Sequence, residues 1–175
     1  PEQRPRLTNE EVMARCPWAT FGKLKHRGPN IVTSLELDPA EMEKRNIHLQ
    51  QKYAEIEEKE VRYEEIHCDD AEYLIVAFGS CARIAQKAME EARAEGIKVG
   101  LLRPITLWPF PSKAIAERSR QVKGILTVEL NAGQMVEDVR LAVECKVPVE
   151  YFGRLGGIVP DPDEVVTALK EKIIK

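Results

Sequence analysis

Tyr73-Leu74-Ile75-Val76-Ala77-Phe78 is followed at once by Gly79-Ser80 and then by Cys81, Ile84, Ala85, Ala88, Met89 and Ala92 at helical spacing. Six apolar residues without alternation read as a strand buried on both faces. Such a strand needs helices above and below it, and the amphipathic segment that follows supplies the first, closed by Gly96 as a C-terminal cap. Downstream the unit repeats. Lys98–Leu102, Gly124–Leu130 and Pro148–Phe152 read as further strands. Helices follow from Ser112 to near Arg120, from Met135 with Val136, Val139, Ala142 and Val143 inward, and from Asp161 with Val165, Val166, Leu169 and Ile173 inward. Asp161-Pro162-Asp163-Glu164 is a helix start, with a capping Asp, Pro in the first turn and a Glu able to reach back. Arg62–His67 adds an antiparallel edge strand. The pattern predicts an α/β fold, three-layer α/β/α, with a mostly parallel sheet of about five strands over residues 62–175.

Residues 1–61 are expected to form an irregular arm followed by a long amphipathic helix. Residues 1–38 have poor periodicity and carry the basic run Lys23-Leu24-Lys25-His26-Arg27, read as a solvated loop or a phosphate contact. Asp38-Pro39-Ala40-Glu41 repeats the helix-start signal, with Glu41 reaching back to the cap. Met42, Leu49, Tyr53 and Ile56 then make one narrow apolar stripe, too narrow to be core on several sides. Glu41/Arg45, Glu55/Lys59 and Glu58/Arg62 are spaced as i,i+4 pairs. The helix is expected to be a surface strut or a partner-contacting arm.

A net charge of −3 over 175 residues gives no electrostatic case for nucleic acid or a membrane surface. No apolar run approaches the roughly 20 residues that span a bilayer. Cys16, Cys68, Cys81 and Cys145 contain no C-x-x-C pair, which argues against a zinc or iron–sulfur site and for free thiols in a reducing cytoplasm. His26, His48 and His67 lack ligand spacing. The first residue is Pro1, so the chain is expected to be a fragment of a longer polypeptide, with a processed terminus as the alternative.

Ligands of open α/β sheets favour the carboxyl ends of the strands. Gly79 and Ser80 open a helix there, where N–H groups could hold an anion or Ser80 could simply cap. Glu129 ends a buried strand beside Asn131 and Gln134. It could grip a ligand or a partner loop, while Asn131 and Gln134 could form a capping box. Arg103 and Arg154 are the nearby cations. Gly79, Ser80, Arg103, Glu129, Asn131 and Arg154 are therefore the candidate contacts for an anion, a nucleotide such as coenzyme A, or a diphosphate. Cys81 lies on an apolar face and reads as structural. No nucleophile–base pair, metal cluster or phosphate loop emerges, and no catalytic residue is assigned. Leu102-Arg103-Pro104-Ile105-Thr106-Leu107-Trp108-Pro109-Phe110-Pro111 is stiff and apolar, and is expected to pack on its own domain or on a partner. Pro104, Trp108, Pro109, Phe110, Gln134, Gly156 and Gly157 are the expected interface residues.

Several strings occur in order: Pro17-Trp18-Ala19-Thr20, Thr33-Ser34-Leu35-Glu36-Leu37-Asp38, Glu60-Val61-Arg62-Tyr63-Glu64-Glu65, the proline-rich run, Val128–Arg140, and Gly153-Arg154-Leu155-Gly156-Gly157. Together they resemble the C-terminal half of the alpha subunit of 2-oxoacid:ferredoxin oxidoreductases, nearest to the type acting on 3-methyl-2-oxobutanoate (2-ketoisovalerate). The resemblance implies a transketolase C-terminal-like domain within an enzyme that decarboxylates a 2-oxoacid on thiamine diphosphate, reduces ferredoxin and releases an acyl-CoA. It implies as partners the N-terminal half of the same subunit, a thiamine diphosphate-binding beta subunit, a gamma subunit and a ferredoxin-like delta subunit. Thiamine diphosphate, magnesium and iron–sulfur clusters then belong to the parent complex. No cofactor is expected in this fragment, which is read as architectural and inactive alone.

Overall fold

The computed structural model describes residues 6–18, 28 and 34–174. The basic run 23–27, with His26, lies outside the described residues, as do Ala19, Thr20 and Thr33. By contacts the chain divides into Pro1–Asn46 and Ile47–Lys175.

The first unit contains a helix that the periodicity does not announce, α1 (Asn9–Arg15). The arm is thus not irregular throughout. Thr8 Oγ1 accepts from the Glu11 N–H at 3.2 Å, and the Thr8 N–H donates to Glu11 Oε2 at 2.8 Å. This reciprocal cap compensates for a helix too short to carry an apolar face. Helix α2 (Pro39–Lys59) starts where Asp38 predicts, with Asp38 Oδ1 accepting from the Ala40 N–H at 2.8 Å. Glu41 does not reach back to the cap: its carboxylate takes Lys44 at 2.6 Å, and Arg45 pairs with Glu36. Met42, Leu49 and Ile56 are half-buried, and no residue of α2 is fully buried. The Glu55–Lys59 pair forms at 3.7 Å. Glu58–Arg62 does not, since the helix ends at Lys59 and Arg62 turns to Glu60.

The second unit continues with β1 (Tyr63–Ile66), β2 (Tyr73–Ala77), α3 (Gly79–Ala94), β3 (Val99–Pro104), α4 (Ser112–Arg118), β4 (Ile125–Glu129), α5 (Met135–Val143), β5 (Val149–Gly153) and α6 (Pro162–Leu169), with a π-helical turn over Lys170–Ile174. The strands form one sheet in the order β1-β3-β2-β4-β5, parallel except for the β1–β3 edge pair. Ile75 and Ala77 face α3 and α6, whereas Leu74 and Val76 face α4 and α5. This is the three-layer α/β/α arrangement. The alternation along β2 explains why its sequence shows none: each side of the pleat meets a helix layer. Helix α3 ends as a Schellman motif, with Gly96 at φ +88°, its N–H on the Arg93 carbonyl at 2.9 Å and the Ile97 N–H on Ala92 at 3.0 Å. Strand β3 runs two residues past Leu102 to Pro104. Its antiparallel partner Tyr63 lies at the sheet edge, where a missing N–H is tolerated.

Candidate functional site

Strand order fixes where a ligand would lie. Helix α3, after β2, covers one face, and α5, after β4, covers the other. Because β2 and β4 are neighbours, their carboxyl ends form the topological switch point, where this fold class has its ligand crevice. Gly79 and Ser80 flank it on one side, and Glu129 to Gln134 on the other.

Glu129 occupies that crevice. Its side chain is fully buried. Its Oε2 accepts from the N–H groups of Gln134 at 3.2 Å and Met135 at 2.8 Å, and its Oε1 from Val136 at 3.0 Å. The carboxylate is therefore the cap of α5. The Asn131–Gln134 capping box does not form: Gln134 makes no side-chain cap, and Asn131 Oδ1 takes the Gly133 N–H at 2.8 Å. Glu129 escapes standard cap spacing because it reaches the helix from the preceding strand, five to seven residues back. Tyr151 donates to the Asn131 carbonyl. Burial, followed by the Glu129 charge, pushes up both the Tyr151 phenol and the Cys81 thiol. A Cβ at Gly153 would meet the Tyr151 hydroxyl and sit 2.8 Å from the Glu129 carbonyl, so the chain here needs glycine.

Ser80 is not the cap of α3. Phe78 holds that position without a side-chain bond, Gly79 turns at φ +57°, and Ser80 is exposed in the first turn. Arg103 lies across the β1–β3 edge and pairs with Glu64 at 3.0 Å. Arg154 pairs with Glu164 at 2.8 Å. The candidate contacts thus do not converge on one pocket: both cations already hold carboxylates, and the crevice carries a negative charge of its own. Cys81 is buried and its pKa is raised, the environment of a structural thiol. Among the described residues no group of three or more His, Cys, Asp or Glu side chains could hold a metal ion. No helix among them is long and apolar enough to cross a membrane.

Of the expected interface residues, Pro104 and Pro109 are buried, Phe110 is half-buried, and Gln134, Gly156 and Gly157 are exposed. Trp108 is 55 % exposed and meets Tyr53 of α2 edge to face, centroids 5.6 Å apart. The loop after β5 also exposes Leu155, Ile158 and Val159, none of which sequence reasoning assigned to the interface. Their apolar run reads equally as a buried turn until the sheet's end is located.

Residues 71–165 match the family model of the pyruvate:ferredoxin oxidoreductase core domain II, more than half of the chain, and the chain belongs to this family of 2-oxoacid:ferredoxin oxidoreductase domains. It is 49 % identical over 165 residues to the ketoisovalerate oxidoreductase subunit VorB of Methanothermobacter thermautotrophicus, covering 93 % of this chain and 46 % of that protein. The chain thus spans about half the length of the curated relatives it matches. The fold superposes on a 2-oxoglutarate:ferredoxin oxidoreductase from Magnetococcus marinus, solved with 2-oxoglutarate, coenzyme A and succinyl-CoA bound. The TM-score is 0.67 at 25 % identity, covering 78 % of this chain and 24 % of that one. A split-gene transketolase shares the fold at TM-score 0.56 and 22 % identity, covering 63 % of this chain and 40 % of that one.

Proposed function

We propose that this chain is an architectural part of the alpha-type subunit of a 2-oxoacid:ferredoxin oxidoreductase. The parent enzyme oxidatively decarboxylates 3-methyl-2-oxobutanoate to its acyl-CoA and reduces ferredoxin. The observation that carries the architectural role is Glu129. The crevice where this fold class takes anionic ligands is closed by the chain's own carboxylate, which secures α5 and repels phosphate. Thiamine diphosphate supplies the decarboxylation chemistry when bound in the parent complex, and this chain contributes packing surface over residues 62–175. Partner subunits and the remainder of the alpha subunit are the proposed neighbours, with Trp108, Phe110, Gln134, Gly156 and Gly157 at the contacts.

The purified chain is expected to turn over no 2-oxoacid with coenzyme A and ferredoxin, and to give no heat with coenzyme A or thiamine diphosphate in calorimetry. Turnover would overturn the architectural role, and heat would favour a ligand module at the open start of α3. In the co-expressed complex, Trp108→Ala is expected to weaken assembly. Unchanged subunit stoichiometry and melting would remove the interface role.

A further inference from the structure

We infer that the groove beside Trp108 receives a single cationic side chain, Arg or Lys, presented on an apolar segment of a protein partner. The groove, of about 480 Å³, runs between the end of α2 and the loop after β3, and Glu57, Glu58, Val61, Trp108, Phe110 and Lys113 are among its lining residues. Its lining includes aromatic and aliphatic side chains, and its indole stays more than half exposed while Tyr53 holds the ring edge to face. Of the carboxylates in the last three turns of α2, Glu55 is paired with Lys59, whereas Glu57 and Glu58 have no ion-pair partner among the described residues.

Two independent features therefore select the same chemistry. The π-face of an indole attracts a guanidinium or ammonium, most strongly where water is displaced. Two unpaired carboxylates on the adjoining wall attract the same group and accept its hydrogen bonds. Val61 and Phe110 give the aliphatic stem an apolar surface to lie along. Lys113 offsets one of the two carboxylates, so the lining keeps a net charge of one negative, which matches one basic residue and not a polybasic run. Phosphates and carboxylate substrates are disfavoured by Glu57 and Glu58. The inference names what the partner presents at the interface proposed above, and rests on that reading for the partner being a protein.

The test is a random heptapeptide library displayed on phage and panned against the full chain, with the consensus peptide then measured by fluorescence anisotropy. The consensus is expected to hold one Arg or Lys beside apolar residues. Its Kd is expected to rise by about tenfold or more with Glu57→Gln/Glu58→Gln, with Trp108→Ala, and with citrulline replacing the peptide's arginine. The Gln pair keeps helix propensity and touches no core residue, so its effect is not one of unfolding. A consensus without a cation, no groove-dependent binder, or a smaller rise overturns the inference. So does a concentration-dependent dimer abolished by Trp108→Ala, which would place a second copy in the groove. In the assembled complex, sensitivity to Trp108→Ala with indifference to the Gln pair would keep the interface and remove the cation; indifference to both would remove the interface itself.

Discussion

Glu129 is the residue at which charge, burial and backbone geometry meet. A carboxylate taken out of water is costly unless its oxygens are satisfied, and three N–H groups from the start of α5 satisfy them. Charge-assisted bonds of this kind also match the positive end of the helix dipole. Glu129→Gln places an amide NH2 against N–H donors that have no other cap. It is expected to lower stability by about 2–3 kcal/mol, read as a shift of the urea midpoint at unchanged m-value. An unmoved midpoint would show that the cap is dispensable. The residue type and its place at a strand end were legible in the sequence. Its target was not, because a strand-to-helix reach depends on how β4 and α5 are packed and on no fixed spacing. Ser80 illustrates the converse: a favourable cap residue stands near a helix start, yet the helix begins at Gly79 with Phe78 as its cap, two residues too early for Ser80 to act.

At the scale of elements, the proline-rich run is a clasp. The Ile105 and Thr106 N–H groups donate to the Arg62 carbonyl at 3.0 and 3.1 Å. Thr106 Oγ1 accepts from the Arg62 N–H at 3.0 Å and donates to the Pro109 carbonyl at 2.8 Å. One hydroxyl thereby ties the loop after β3 to the segment joining α2 and β1, and Trp108 meets Tyr53 above it. Thr106→Val keeps the shape and removes both side-chain bonds. A loss of about 1–2 kcal/mol is expected, together with a weaker near-UV circular dichroism signal from the Tyr53–Trp108 pair. An unchanged spectrum would mean that the loop holds itself. The prolines announced a stiff loop, but not that threonine would fasten it. Helix α1 was missed for a different reason. Seven residues carry too few apolar positions for a period to register, although its Thr8–Glu11 cap stood in the sequence.

For the molecule as a whole, the two helix layers bury Cys68 and Cys81 within the sheet domain and leave Cys145 in water. Burial, then the neighbouring Glu65 carboxylate, pushes the Cys68 thiol up to about 11 from 9.0. The fold therefore prefers the protonated thiol. Its contribution to stability is complete below pH 9 and is lost as pH rises through 11. Between these values stability is expected to fall less steeply in Cys68→Ala than in the wild type. Equal slopes in urea titrations across that window would show that the thiol does not ionise against the fold. Sequence alone determined the layered class, because strands buried on both faces must be uniformly apolar and helices between them must carry one apolar side, whatever their neighbours. It also determined the start of the long helix at Asp38 and the family resemblance, each carried by local strings. Only the tertiary structure decided that β2 and β4 lie side by side with their helices on opposite faces. That arrangement creates the crevice, places Glu129 in it and separates Arg103 from Arg154. Contacts between residues far apart in the chain follow from strand order, and strand order is a property of the packed sheet that no stretch of sequence spells out.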